Sequence, residues 1–169
     1  VVYATSEPEE ALLLGGKTAL MNDGRVTQFG STADIYRNPQ DLTSAQVFSD
    51  PPINVAEVTK QGTTARLGTG VQWVLAGDAA GLADGNYTVA IRPNHVSPVK
   101  HDDRAVPVKG TVQITELSGS ESSAHFTFGD DSWVSLAPGV HPYEIGQDHQ
   151  FFMDPSKCYF FAPDGKLVA

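Results

Sequence analysis

The pattern of apolar and turn-forming residues changes at Ser49-Asp50-Pro51-Pro52, and this change constrains the fold more than any other feature of the sequence. Two adjacent prolines cannot continue a helix, because proline lacks a backbone N–H and its ring clashes with the preceding turn. Beyond Pro52, short alternating or apolar runs are separated by turn residues, with almost no helical periodicity. The sequence therefore predicts a mainly β fold in which an α/β part, residues 1–50, precedes an all-β part, residues 51–169.

The strands expected in the second part are apolar or alternating runs bounded by Gly, Asp, Asn, Ser or Pro. They are residues 54–60, 63–67, 71–76, 87–92, 106–117, 122–128, 133–136, 149–153, 157–161 and 166–168. Short strands at this spacing, separated by turn residues, indicate an all-β module.

The first part begins with an apolar run, residues 1–4, of the kind that forms a buried strand of a parallel sheet. Ser6 precedes Glu9 by three residues and Pro8 by two, which predicts a helix with Ser6 as N-cap and a capping box with Glu9. Gly15-Gly16 ends that helix. The elements expected next are a hairpin of residues 17–21 and 25–29 around Asn22-Asp23-Gly24, a helix capped by Ser31 or Thr32 and ending at Arg37, and a helix over residues 41–48.

The charge balance argues against nucleic-acid binding. The formal net charge is −9, from 11 Lys and Arg residues against 20 Asp and Glu residues, and neither part of the chain is basic. Lys and Arg contacts to phosphate supply most of the non-specific affinity for nucleic acid, so this chain lacks the field that such binding requires.

Membrane insertion and export are not expected either. No apolar stretch approaches the roughly 20 residues of a membrane helix, and residues 1–4 lack the basic flank and length of a signal peptide. Cys158 is the only cysteine, so no internal disulfide can form, and its apolar neighbours predict a packed thiol in a reducing, cytoplasmic compartment.

No phosphate-binding loop is recognisable in these residues. Gly15-Gly16-Lys17-Thr18 ends like such a loop, but Ala11 stands where the first glycine is required, and a helix precedes the motif where a strand is needed. Lys17 is better explained as a cation at a helix C-terminus.

Other polar groups do not form a convincing site. His101-Asp102-Asp103-Arg104 is interpreted as a solvated turn, and the five histidines lack the spacing of zinc ligands. Glu116 and Glu121 flank the Ser118-Gly119-Ser120 turn, where carboxylates more often face solvent than perform acid–base chemistry.

Several phrases resemble a known family. In order they are Thr5-Ser6-Glu7-Pro8-Glu9-Glu10-Ala11-Leu12, Met21-Asn22-Asp23-Gly24-Arg25-Val26-Thr27-Gln28-Phe29-Gly30, Asp34-Ile35-Tyr36-Arg37-Asn38-Pro39, Pro51-Pro52-Ile53-Asn54, Ile91-Arg92-Pro93-Asn94-His95, Glu116-Leu117-Ser118-Gly119-Ser120-Glu121 and Phe161-Ala162-Pro163-Asp164-Gly165. They resemble the C-terminal part of the ATP-binding subunit of bacterial ABC importers for sugars such as maltose and for glycerol phosphate. The resemblance covers nearly the whole chain.

This resemblance implies a remnant of an ABC nucleotide-binding domain in residues 1–50 and a transport-associated regulatory barrel, similar to an oligonucleotide-binding fold, in residues 51–169. It implies an intact subunit that uses ATP and Mg, pairs with a second copy, and docks on membrane permease subunits from the cytoplasmic side. The phosphate-binding loop, the ABC signature and the catalytic carboxylate are expected upstream of Val1, so this chain alone is not expected to be catalytic.

Ser6 is the one candidate catalytic position. It stands where the resembled family carries a histidine that touches the terminal phosphate and the attacking water, and a serine hydroxyl is too short and never cationic. Together with Gly16, where the family usually has aspartate, this implies a degenerate ATP site. Two interpretations of Ser6 stay open: it is either a simple N-cap or a switch position. A second function for the chain also stays open, namely a free-standing barrel that binds a small ligand or a protein.

Overall fold

The computed structural model describes all 169 residues. The first part contains three short helices and one hairpin: α1 (Pro8–Leu14), β1 (Lys17–Asn22), β2 (Arg25–Ser31), α2 (Thr32–Arg37) and α3 (Leu42–Val47). None of the helices has the length and apolar character needed to cross a bilayer.

The hairpin and the two later helices confirm the sequence prediction. Asp23 and Gly24 both have positive φ, 49° and 74°, as a two-residue turn of type I′ requires. The Ser31 side chain accepts a hydrogen bond from the Asp34 N–H, and Asp41 caps α3 in the same way through the Ser44 N–H.

Two expectations for the N-terminus are wrong. Residues 1–4 form no strand, because no other segment of the chain lies beside them to complete a backbone hydrogen-bond ladder. Ser6 is not the N-cap: Pro8 occupies the first turn, where its fixed φ suits a helix start, so the cap position falls on Glu7. No side chain caps this helix, and the Glu7 N–H instead donates to Thr5 Oγ1 at 2.9 Å.

The second part is built from strands, which confirms the mainly β, barrel-like fold class. They are β3 (Asn54–Gln61), β4 (Thr64–Leu67), β5 (Gln72–Val74), β6 (Gly85–Ile91), β7 (Val96–Ser97), β8 (Val106–Leu117), β9 (Glu121–Phe128), β10 (Asp131–Pro138), β11 (Asp148–Met153) and β12 (Tyr159–Phe161). Short 3₁₀ turns at Gly77–Gly81, Pro93–His95 and Pro155–Lys157 interrupt them.

Three strand predictions need correction. The strand expected at 71–76 is reduced to β5, because only Gln72–Val74 face the Thr64–Arg66 segment of β4. The strand expected at 157–161 starts at Tyr159, since Asp154 stabilises a 3₁₀ turn before it by accepting the Ser156 N–H. Residues 166–168 form only isolated bridges, from Lys166 to Asp41 and from Leu167 to Phe161.

The strands form two five-stranded antiparallel sheets, ordered β12-β6-β3-β4-β5 and β10-β9-β8-β11-β7. The second sheet almost closes on itself, because Ser135 of β10 donates through its hydroxyl to the Val96 carbonyl of β7 at 2.6 Å. The buried Asn54 side chain joins the two sheets by bonding both backbone groups of Val134, at 2.8 and 2.6 Å. The result is the nearly closed barrel of an oligonucleotide-binding-like fold.

The main core consists of 18 buried residues drawn from both sheets. Phe126 stacks on Phe151 with ring centroids 4.2 Å apart, and Phe128 packs against Trp133 at 4.4 Å. Trp133 also donates its indole N–H to the Val55 carbonyl at 3.0 Å. These contacts make the barrel a rigid platform for the elements that pack on its outside.

Candidate functional site

Ser6 lies in an exposed segment immediately before α1. Its hydroxyl donates to the Glu7 carboxylate at 3.3 Å, while Tyr3 and Thr5 both donate through their hydroxyls to Glu10. Ser6 therefore lies among hydroxyl and carboxylate groups from residues 3–10, and these residues do not include a cationic side chain.

A small apolar cluster connects α1 to the rest of the first part. Leu20, Ile35 and Phe48 are buried together, and Ala11 of α1 packs against them. The Thr32 N–H at the start of α2 donates to the Gly16 carbonyl at 3.0 Å, which ties the end of α1 to the start of α2. The helix that follows Ser6 is thus held on α2 and α3.

The buried side chain of Arg92 attaches this cluster to the barrel. Arg92 is 3 % exposed and directly follows β6. Its guanidinium donates to the Phe48 carbonyl at 2.8 Å and to the Tyr36 carbonyl at 2.7 Å, and its Cζ lies 3.7 Å from the centre of the Tyr36 ring. One cation therefore serves the C-terminal ends of both α2 and α3, where helix carbonyls lack partners and the dipole is negative.

A second set of contacts between the two parts involves the last residues of the chain. The Leu42 N–H donates to the Gly165 carbonyl at 2.9 Å, and the Leu167 N–H donates to the Gln40 carbonyl at 3.1 Å. Ala45 of α3 is buried in a cluster with Ile53, Ala90 and Phe161 of the barrel. The two parts thus share both backbone hydrogen bonds and an apolar contact across the sequence boundary at residues 50 and 51.

The polar groups considered in the sequence analysis form no hydrogen bond with the residues of this junction. Arg104 donates to Asp102, which lowers the pKa of the Asp102 carboxyl to about 2, and Lys100 pairs with Asp103. Burial raises the pKa of the Cys158 thiol to about 12, so it remains a neutral packed thiol. Glu116 and Glu121 are both exposed on β8 and β9.

His95 lines a cavity of about 160 Å³ together with Ser97, His101 and Asp154. Burial is the main cause of its lowered pKa, with Lys157 and Arg92 acting in the same direction and Asp154 opposing them. The Ser97 hydroxyl and the His101 ring nitrogen are 3.1 Å apart. No three His, Cys, Asp or Glu side chains are arranged to hold a metal ion.

The sequence analysis did not predict that Arg92 attaches α2 and α3 to the barrel, and it singled out Arg92 only as part of the phrase Ile91-Arg92-Pro93. The available signal is an arginine that directly follows the apolar run Val89-Ala90-Ile91 and so lies at the end of a buried strand. An arginine in that position needs buried acceptors, but only the tertiary structure identifies them as helix carbonyls.

Comparison with known proteins adds a decisive observation. The TOBE domain family model matches residues 89–161, which run from β6 to β12 and include all five strands of the sheet that almost closes on itself. The chain is similar to the C-terminal part of the ATP-binding subunits of ABC importers, and residues 89–161 are similar to the TOBE domain.

Several relatives are named as ATP-binding proteins of transport systems. The sn-glycerol-3-phosphate import ATP-binding protein UgpC of Paraburkholderia xenovorans is 30% identical over 169 residues, covering 96% of this chain and 46% of that protein. The sulfoquinovosyl glycerol transport ATP-binding protein SmoE of Agrobacterium fabrum is 25% identical, with 95% and 46% covered. The maltose/maltodextrin import ATP-binding protein MalK of Aliivibrio fischeri is 23% identical, with 98% and 47% covered. The chain thus spans about half the length of these curated relatives.

Among solved structures, the molybdate-bound form of the cytoplasmic molybdate-binding protein ModG aligns with a TM-score of 0.48 and 17% identity. The alignment covers 65% of this chain and 96% of that chain.

Proposed function

We propose that this chain is the C-terminal regulatory and dimer-stabilising portion of an ATP-hydrolysing subunit of a bacterial ABC importer for sugars or related solutes. Residues 1–50 would belong to the nucleotide-binding domain and residues 51–169 to the regulatory barrel. The intact subunit would use ATP and Mg, pair with a second ATP-binding subunit, and bind permease subunits at the inner face of the membrane.

One structural observation supports a regulatory role most directly: packed contacts run without a break from the helix after Ser6 to the barrel. Ala11 contacts the cluster of Leu20, Ile35 and Phe48, and Arg92 holds the Phe48 carbonyl on the barrel. A shift of the barrel relative to the first part must either move these groups together or break buried hydrogen bonds. These contacts support the proposal that the barrel biases the position of the segment that carries Ser6.

The similarity to relatives favours this proposal over a free-standing binding barrel. The matches to UgpC and MalK cover 96% and 98% of the chain, so they include the helices and hairpin of the first part as well as the TOBE domain. An unrelated adapter joined to a barrel would match over the barrel alone.

Ser6 is proposed to be a degenerate switch position. The side chain is exposed and short, and its one side-chain hydrogen bond is to the neighbouring Glu7. A serine here cannot supply the imidazole that the resembled family uses near the terminal phosphate, so hydrolysis in the intact subunit should be slow.

A chimera tests the proposal. The aligned C-terminal part of UgpC from Paraburkholderia xenovorans is replaced by this chain, and ATP hydrolysis and sn-glycerol-3-phosphate uptake are measured with the partner permeases. We expect the chimera to assemble with slow hydrolysis, and the same chimera with Ser6→His to hydrolyse ATP at least about tenfold faster.

Each outcome of the chimera experiment bears on a separate claim. If the chimera assembles but Ser6→His does not speed ATP hydrolysis, the proposed role of Ser6 is contradicted. The proposal that the chain is part of an importer subunit would still stand. A chimera that folds but never assembles or hydrolyses ATP with either residue would contradict the proposal that the chain is part of an importer ATPase.

A further inference from the structure

The second half of β8 is an open edge of the sheet that almost closes on itself. β8 is 12 residues long, but β11 pairs only with residues 106–111. The last backbone hydrogen bonds on that side join Val112 to Gly146 and Gln147. Residues 113–117 pair with β9 on one side only. The backbone N–H and C=O groups on their other side have no partner in the chain, so they can pair with a strand from elsewhere.

The side chains along this edge favour strand pairing. Edge strands are usually protected by lysine or proline, and residues 113–117 contain neither. Ile114 and Leu117 are 53 % and 60 % exposed. The register shift in the β8–β9 pairing lies before Ile114, so residues 114–117 keep a regular ladder with β9. The edge is therefore straight and apolar where it is unpaired.

The loop between β10 and β11 adds exposed apolar side chains at both ends of this edge. Ile145 lies beside its start, because the N–H of the next residue donates to the Val112 carbonyl. Val140 lies beside its end, because the N–H of the next residue donates to Ser122, the β9 partner of Leu117. Both side chains are more than half exposed. An added strand would thus cover apolar surface of the loop as well as of β8.

The charge around the edge is acidic. Residues 110–147 contain no lysine or arginine, and Glu116, Glu121 and Glu144 are all exposed there. Two copies of the edge would bring these carboxylates together, and like charges opposite each other in a sheet are destabilising. A lysine or arginine on the added strand would instead attract Glu116 or Glu121. The charge therefore favours a basic segment of another protein over a second copy of this chain.

We propose that residues 113–117 bind an extended segment of another protein, which adds to β8 as a strand and alternates apolar residues with lysine or arginine. Backbone hydrogen bonds to the open edge supply affinity, while Ile114, Leu117 and Glu116 select the side chains of the partner. This surface lies within the residues that are similar to the TOBE domain, and it is independent of the proposed ATPase role.

The test uses the 169-residue chain and a short peptide that alternates valine and lysine. We expect the amide signals of residues 113–117 to shift in ¹H–¹⁵N spectra and their hydrogen exchange to slow as the strand is added. The same peptide with glutamate in place of lysine should bind at least about tenfold more weakly. The lysine peptide with N-methyl groups in place of its ladder N–H donors should lose a similar factor.

Matched variants locate the charge that selects the peptide. Glu116→Lys should weaken binding of the lysine peptide by about fivefold. Glu57→Lys makes the same change in net charge at an exposed glutamate on β3, in the other sheet, and should leave binding unchanged. Melting temperatures of the two variants check that both are folded.

Unmoved signals at residues 113–117, equal binding of the lysine and glutamate peptides, or full binding of the N-methylated peptide would overturn the proposal. Signals at residues 113–117 that shift with protein concentration in the absence of peptide would also overturn it, because a second copy would then occupy the edge. Unchanged binding of the lysine peptide to Glu116→Lys would contradict the assignment of a basic partner.

Discussion

Arg92 contacts Tyr36 twice: its guanidinium carbon lies 3.7 Å from the centre of the Tyr36 ring, and its Nη2 donates to the Tyr36 carbonyl oxygen at 2.7 Å. The same guanidinium also donates to the Phe48 carbonyl. A flat cation with several fixed donors can serve two helix ends and an aromatic face at once, which a lysine cannot do. This contact fixes the TOBE-containing barrel to the α/β part.

Removing the guanidinium should separate the two parts. We expect Arg92→Ala to lower the free energy of unfolding by about 3 kcal/mol, because two helix carbonyls lose a charged donor in a buried place. Arg92→Lys should recover only part of the loss. Hydrogen exchange should quicken in residues 32–48 before it does in the barrel, as measured by mass spectrometry.

The control for this experiment is Arg66→Ala, at an exposed arginine on β4, which should change stability by no more than about 0.5 kcal/mol. Unchanged exchange in residues 32–48 of Arg92→Ala would show that Arg92 does not hold the helices on the barrel.

Gly110 should tolerate no side chain. A Cβ atom at this position would lie 1.8 Å from the Thr127 carbonyl oxygen and 2.7 Å from a ring carbon of Phe126. Gly110→Ala should therefore destabilise the barrel by about 3 kcal/mol or more, measured by urea unfolding. Gly68→Ala is the matched control, since a Cβ there has open space and the backbone is not in the left-handed region. Similar midpoints for the two variants would contradict the close approach of β8 and β9.

Lys60 and Asp84 form an ion pair in which the lysine side chain is only 3 % exposed. The Lys60 ammonium and the Gly62 N–H both lower the pKa of Asp84. A carboxyl group with a depressed folded-state pKa contributes stability that is complete above its unfolded pKa and is lost as the pH falls through its folded pKa. We expect Asp84→Asn to lower the melting temperature at pH 7, and the gap from the unsubstituted protein to narrow as the pH falls below about 4 and through the lowered folded-state pKa of Asp84.

Asp103→Asn is the control for Asp84→Asn, because Asp103 pairs with Lys100 between two exposed side chains and should affect the melting temperature little at any pH. A gap for Asp84→Asn that is constant from pH 7 to pH 3 would refute the assigned ion pair.

The chain by itself should not bind ATP tightly. Its residues include no phosphate-binding loop, and the carboxylates of Glu7 and Glu10 near Ser6 repel phosphate. Titration calorimetry with MgATP should show no binding at micromolar concentrations. A micromolar dissociation constant would show that these residues form a nucleotide site of their own.

Exposed apolar side chains near the N-terminus should cause self-association. Val1, Val2, Leu13 and Leu14 are all more than half exposed, and Leu13 is 88 % exposed. Surface of this kind tends to be covered by another chain. We expect the average mass in light scattering to rise with concentration, and Leu13→Glu to suppress this rise. Val140→Glu, on a barrel loop with comparable exposure, should not suppress it.

The sequence alone determined the local elements and the fold class. Asp23-Gly24 specified a two-residue hairpin turn, Ser31 specified a helix cap, and short runs between turn residues specified an all-β second part. These features depend on backbone preferences and on contacts within a few residues, which the order of residues encodes directly.

Only the tertiary structure decided where helices meet the barrel and which buried groups are paired. Residues 1–4 read as a strand by composition, yet form none, because a strand also needs a neighbour to accept its hydrogen bonds. Arg92 reaches carbonyls 56 and 44 residues away, and Trp73 is left without the acceptor that Trp133 has. Such relationships depend on the three-dimensional approach of distant segments, and no periodicity or spacing in the sequence records that approach.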